Sequence, residues 1–342
     1  MKRLFLCATI MFATTTLTFA QWSSGRPDGH APIQVMGDHT HTRGEIMFSY
    51  RFMLMNMDGN GDGTDEVSAA SLLRPNGGAY MVAPETMPMQ MHMLGAMYAV
   101  SNDLTLMLML PYQSSEMDHV TAMGGTFTTE SSGLGDIKLS GMYNVYAGGR
   151  SKSHIQLGVS IPTGSTEEKD VTPMSNGNEV TLPYPMQIGS GTFDLLPGIT
   201  YLAQSDDFSF GSQLNGVIRL GENDQEYSFG NRLGFTNWLG YRLSDVFSPQ
   251  LSLTFLNWGD ISGESPDLAM ANANDVVHTV DPDLKAGSRL DLGLGLNIQG
   301  PEGPLHDLRL GVNFDLPIYQ NLDGPQMWNK GILTFGLQYT IH

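Results

Sequence analysis

Cysteine is all but missing: the 342 residues contain one, Cys7, and it falls within the first twenty. Those twenty residues show a basic start (Lys2, Arg3), an apolar run from Leu4 to Phe12 and a small-residue exit at Thr18-Phe19-Ala20, the pattern of a secretory leader cleaved after Ala20. Only six residues precede Cys7, too few for the apolar segment of a lipoprotein leader, so the mature chain is expected to have neither thiol nor disulfide. Long apolar runs are missing as well. Beyond the leader nothing approaches the ~20 apolar residues of a transmembrane helix, so the chain can enter a bilayer only as a closed barrel, which satisfies every backbone polar group internally.

Basic residues are scarce, 17 against 35 acidic, and loss of Lys2 and Arg3 with the leader takes the net charge from −18 to −20. A nucleic-acid partner, which needs a basic footprint, is excluded on that ground. Enzyme signatures are missing: there is no G-x-S-x-G, no H-E-x-x-H and no P-loop, and Gly293 and Gly295 sit inside a strand pattern rather than ahead of a helix. The chain is therefore read as a non-enzyme. No repeat of fixed length is visible, which disfavours propellers and β-helices.

What is present is alternation. From Glu45 to Met57 the even positions are Ile46, Phe48, Tyr50, Phe52, Leu54 and Asn56, and the odd positions are Glu45, Met47, Ser49, Arg51, Met53, Met55 and Met57. Successive strand residues point to opposite faces, so this segment wants lipid or core on one side and a polar interior on the other. Similar segments follow, clearest at 289–299 and 307–316, and one at 330–342 closes the chain. The intervening connections alternate between long (beginning near 58, 113, 163, 259 and 318) and short (near 101, 147, 204, 243 and 300). Long outer loops and short periplasmic turns mark bacterial outer-membrane barrels. The expectation is an all-β chain: a leader (1–20), a periplasmic N-terminal arm (21–44), and an antiparallel up-and-down transmembrane β-barrel of about twelve strands (45–342). A secreted soluble sandwich or solenoid also buries one face of alternating strands. Recurrent Arg and Asp on the non-apolar face favour a wet lumen.

The segments MGDHTHTRGEIMFSYRFMLMNMDGNGDGTDEVS, MHMLGAMYAVSNDLTLMLMLPY and ESSGLGDIKLSGMY resemble a bacterial outer-membrane transporter family similar to the meta-pathway phenol-degradation proteins. The resemblance is strongest over residues 36 to 146. It implies an outer-membrane barrel that takes up small, often aromatic or apolar molecules, with outer-membrane lipid, a small solute and the barrel assembly machinery as partners. It supplies no binding residues. The terminal His342 departs from the aromatic ending common in such barrels.

Methionine is the compositional anomaly, with 18 of 22 within residues 1–150. Strand parity places Arg51, Met53, Met55, Met57, Met107, Met109, Asp136, Lys138, Met142, Arg219, Arg232, Arg289, Asp291 and Arg309 toward a lumen, as candidates for contact with solute. Met packs adaptably against aromatic rings, and thioethers also suit soft ions, which keeps a copper-binding or metal-tolerance role as an alternative. Met87, Met89, Met91 and Met93 oppose Gln90 and His92 and are read as facing lipid. No cofactor is required. Asp58, Asn60 and Asp62 copy the first half of a calcium loop, although position twelve is Ala69 where a bidentate Glu is expected. His39 and His41 in the arm are candidate soft-metal ligands.

Overall fold

The computed structural model describes residues 22–303 and 305–342; the leader falls outside the described residues. Eleven antiparallel elements form a closed ring. In chain order they begin with β1 (Ile46–Gly63), β2 (Val82–Ala99), β3 (Leu104–Thr121), β4 (Ile137–Gly148) and β5 (Ser151–Ile161). There follow β6 (Phe193–Gln204), β7 (Phe208–Leu220), β8 (Arg232–Tyr241), β9 (Phe247–Trp258) and β10 (Gly287–Gln299). The last element, Leu308–Ile341, is a hairpin rather than one strand: 309–322 pairs with β10 and 326–341 pairs with β1. Its reversal uses Gly324, whose φ of 81° is a left-handed conformation that glycine adopts at no steric cost. With β11 (308–322) and β12 (326–341) counted separately, the barrel makes twelve passes, and the pairing of β12 with β1 leaves no free edge.

The two faces are solvated in opposite ways. Phe48 on β1, Leu94 on β2 and Leu157 on β5 are 53%, 58% and 65% exposed, and all twelve passes carry large apolar side chains outward in the same manner. Inward lie Ser49, Thr105, Ser140, His154, Gln213 and Asn297, all buried. A soluble sandwich hides its apolar face, so this inverted arrangement removes the soluble alternative and places the barrel in a bacterial outer membrane. A hollow of about 720 Å³ beside Phe48, Leu106 and Leu157 lies on this outer apolar face and suits lipid chains rather than solute.

Three expected loops are strand in whole or in part. The segments beginning near 58, 113 and 318 continue the pairing of β1, β3 and the terminal hairpin, and Thr126–Leu134 pairs with the upper part of β3. Apolar alternation stops where lipid stops, whereas backbone pairing continues into water. Hydropathy therefore underestimates strand length at the outer side.

The strand-two methionines need correcting. Met87 is fully buried, Met97 nearly so, and Gln90 and His92 are the exposed residues. His92 Nδ1 meets the Tyr50 hydroxyl at 2.8 Å, and its ring tilts over Phe52 at 5.1 Å, so the polar outer side chains are accommodated beside interfacial aromatics. Directly paired residues of antiparallel strands share a face, and Met53↔Met91, Met55↔Met89 and Met57↔Met87 are such pairs, so all six face inward.

The N-terminal segment also differs from expectation. Residues 22–42 are not a periplasmic arm; they fold inside the barrel as a plug in which Ala31, Ile33, Asp38 and His39 are 1–3% exposed. Arg51 donates from Nε to the Ile33 carbonyl at 2.9 Å, and Arg309 donates to the Ala31 carbonyl. Gln213 donates to the Met36 carbonyl at 2.9 Å, and His154 Nε2 lies 2.9 Å from the Gly37 carbonyl. Lumen donors thus satisfy the carbonyls of a segment that has no regular structure of its own.

At the outer end, loops from 162–192, 221–231 and 259–286 close into a cap around Tyr184, Tyr227, Ile261, Leu268 and Val280. The Tyr184 and Tyr227 rings meet edge-on at 4.9 Å, and the Tyr184 hydroxyl accepts from the Ser265 amide at 3.0 Å. His278 anchors the cap to β1, its Nε2 donating to Asn60 Oδ1 at 3.0 Å. Burial, then the charge of Lys285, holds the His278 pKa down to about 3. A displaced loop would let this imidazole titrate near 6.5, so the displaced state binds the extra proton below that pH. Docking is therefore unaffected by pH above about 6.5 and weakens by up to about 1.4 kcal/mol per unit as pH falls from there toward 3. Proteolysis of loop 259–286 is expected to accelerate between pH 6.5 and 4.5 in the wild type and to lose that dependence in His278→Gln.

Candidate functional site

Between plug and cap the lumen is hollow. Two connected cavities of about 310 and 580 Å³ share Met89, Met91, Tyr184, Arg219, Phe229 and Arg232. The walls differ in chemistry. β1 and β2 contribute Met53, Met55, Met57, Met87, Met89, Met91 and Met93, with Met109 from β3. Facing residues bring cations: Lys138 from β4, Arg219 from β7, Arg232 from β8 and Arg289 from β10.

Two of these cations are neutralised. Arg219 pairs with Asp194, and its guanidinium lies 5.8 Å from the centre of the Phe229 ring. Arg289 holds Asp291 at 2.9 Å. Lys138 and Arg232 make no ion pair or side-chain hydrogen bond among the described residues. The chamber therefore offers a soft, polarisable wall for a ring and unpaired cations for an oxygen.

The residues singled out by parity separate into groups. Met53, Met55, Met57, Met109, Asp136, Lys138, Arg219, Arg232 and Arg289 stand at the chamber wall. Asp136 is occupied there: its carboxylate accepts from the Gly164 and Ser190 amides at 3.0 and 2.8 Å and so fastens the loop 162–192. Arg51 and Arg309 are not solute-lining, because they are committed to plug carbonyls. Met107 and Met142 are likewise not at the chamber: with Met47, Met97 and Met109 they form a buried cluster that receives Met36 of the plug. Asp291 sits behind Arg289 and is nearly inaccessible.

The calcium reading does not hold. Asp58 and Asp62 are exposed while Asn60 is fully buried, its amide spent on the Pro84 carbonyl at 2.8 Å and on His278. Gly59 takes a φ of 72° and the pairing of β1 with β12 shifts register beside Asn60, so Asn60 is buried while the two aspartates face solvent, where a calcium loop would wrap all three around one centre. His39 and His41 lie in the buried plug, not in a mobile arm. Their rings meet edge-on at 4.8 Å; His39 also contacts Asp38 and His30, and His41 is paired with Glu45 at 3.2 Å.

Sequence reasoning missed the plug, the inward methionines of β2 and the aromatic cap. The second was legible: Leu94, Ala96 and Tyr98 share parity with Gln90 and His92 and mark that face as the lipid side. For the plug, the only signal is the short run Ile33, Gln34, Val35 in a segment otherwise rich in Gly, His and Pro.

Among solved structures, an outer membrane channel from Pseudomonas putida F1 superposes with a TM-score of 0.59 at 11% identity, covering 90% of this chain and 100% of that one. A FadL homologue from Pseudomonas aeruginosa superposes with a TM-score of 0.42 at 9% identity, covering 87% and 91% respectively. The first likeness shows a shared barrel fold. No curated protein matches the chain in sequence. The family described as "Putative MetA-pathway of phenol degradation" matches residues 73–315, and the chain belongs to that family.

Proposed function

We propose that the protein is an outer-membrane channel for small aromatic solutes that carry an oxygen at one end, such as a phenol or an aromatic acid. The observation that carries this reading is the chamber itself, in which methionine thioethers face the unpaired Lys138 and Arg232. Sulfur–aromatic contacts favour a ring by about 0.3–1.5 kcal/mol each, and a hydrogen bond to a charged group adds about 1.5–3 kcal/mol. The likeness to the Pseudomonas putida outer membrane channel supports a channel role, and membership of the phenol-degradation family supports an aromatic solute. The outer rim is acidic, with Asp58, Asp62, Asp65 and Glu66 exposed. It slows anions at the entrance relative to neutral phenols, and the chamber cations then hold the oxygen of either.

Binding is testable without transport. Trp258 borders the chamber, its indole N–H donating to the Lys285 carbonyl at 2.7 Å. Titration of the detergent-solubilised protein with phenol or benzoate is expected to change tryptophan emission saturably, with the change lost in Trp258→Phe. Emission that responds equally to glucose, or only linearly to the aromatics, would sink the reading.

A further inference from the structure

The plug contains a cluster that the channel reading does not use. His30, Asp38 and His39 each offer a donor atom, and these atoms lie within 4.8 Å of one another, the one such grouping of three or more His, Cys, Asp or Glu among the described residues. His30 Nδ1 and His39 Nδ1 are 3.4 Å apart. Asp38 Oδ1 lies 2.8 Å from His39 Nδ1, and Asp38 Oδ2 lies 3.7 Å from His30 Nδ1. A tetrahedral ion with bonds of about 2.0–2.1 Å holds its donors about 3.3 Å apart. The observed separations bracket that value, so small side-chain rotations place all three donors on one ion.

One further feature distinguishes this cluster from an ordinary polar network. Asp38 Oδ2 accepts the Ala31 amide at 3.0 Å, a bond that orients the carboxylate as an outer-shell partner orients a ligand.

We infer that His30, Asp38 and His39 form a site for a divalent transition metal of the zinc class, which staples the two ends of the plug loop carrying Ile33. The donor set is two imidazoles and one carboxylate, leaving a coordination position for water. It selects Zn²⁺, Ni²⁺ or Cu²⁺ over Ca²⁺, which prefers six to eight oxygens. The site is separate from the chamber methionines, and it stands whether or not the chamber binds aromatics.

The test is equilibrium dialysis of the mature, tag-free protein in detergent against Zn²⁺. One equivalent is expected to bind, with affinity reduced tenfold or more in His30→Ala and in His39→Ala and unchanged in His119→Ala, a histidine outside the plug. Heat-modifiable migration verifies that each variant keeps its barrel. His39→Cys separates ligation from plug packing: thiolate prefers softer ions, so this variant is expected to bind Cd²⁺ more tightly than the wild type. Zinc binding that survives both alanine changes, no stoichiometric zinc in the wild type, or no gain for Cd²⁺ in His39→Cys would overturn the assignment.

Discussion

Deleting residues 28–41 is expected to raise single-channel conductance by about tenfold, because a twelve-stranded barrel without its plug lies between the filled eight-strand and the open sixteen-strand cases; replacing Gly336 with valine is expected to raise it by a smaller factor, by loosening the plug. Ile33 is the reason a single glycine matters. It sits between Gly311 and Gly336; a Cβ on Gly311 would come 2.7 Å from Ile33 Cβ, and one on Gly336 would overlap Ile33 Cγ1. The glycines form a socket and Ile33 fills it. Overfilling such a contact costs about 1–3 kcal/mol, comparable to one or two of the Arg51 and Arg309 hydrogen bonds that retain the plug. The barrel survives either change, since its ring of strand pairs closes without any residue of the plug. Conductance that stays at the wild-type level in both variants would contradict the assignment of residues 22–42 as the constriction.

The second large effect concerns Lys138 and Arg232. Changing both to Gln is expected to lower benzoate uptake into proteoliposomes by about a hundredfold or more, since charged hydrogen bonds contribute about 1.5–3 kcal/mol each and 1.4 kcal/mol is a factor of ten. Both side chains point into a cavity and lack partners among the described residues, so their loss leaves no buried carboxylate orphaned and folding is expected to be intact. Changing Arg219 would be a poorer experiment, because it strands Asp194. Toluene, which offers no oxygen, is expected to pass the double variant as it passes the wild type. A parallel loss for benzoate and toluene would mean that the cations shape the lumen rather than select the solute.

How much of this was legible in the sequence follows from which solvent wrote each pattern. Lipid demands apolar residues at every second position, and segments such as Ile46 to Leu54 therefore announced the barrel, its inward parity and its strand number. Water and the lumen make no comparable demand. Strand beyond the bilayer, as in Asp58 to Gly63, looked like loop because both faces there are polar. The plug was hidden for a related reason: its carbonyls are satisfied by Arg51, Gln213 and Arg309, residues far away in the chain, so its own sequence shows no periodicity. Parity located the charged side chains of the lumen but could not tell which face plug and which face chamber. Arg51 and Arg309 point to the former, Arg232 and Lys138 to the latter. Depth along the barrel axis is a tertiary property, fixed only once the N-terminal segment has taken its place.

The most direct measurement is flux through the wild-type protein in proteoliposomes, comparing phenol and benzoate with a sugar of similar mass after subtraction of protein-free vesicles. The aromatic solutes are expected to enter at protein-dependent rates well above that of the sugar, and the plug-deleted variant is expected to admit all three. Equal rates for all three solutes in the wild type, or no protein-dependent flux even after deletion of residues 28–41, would contradict the account of a plugged channel with an aromatic-selective chamber.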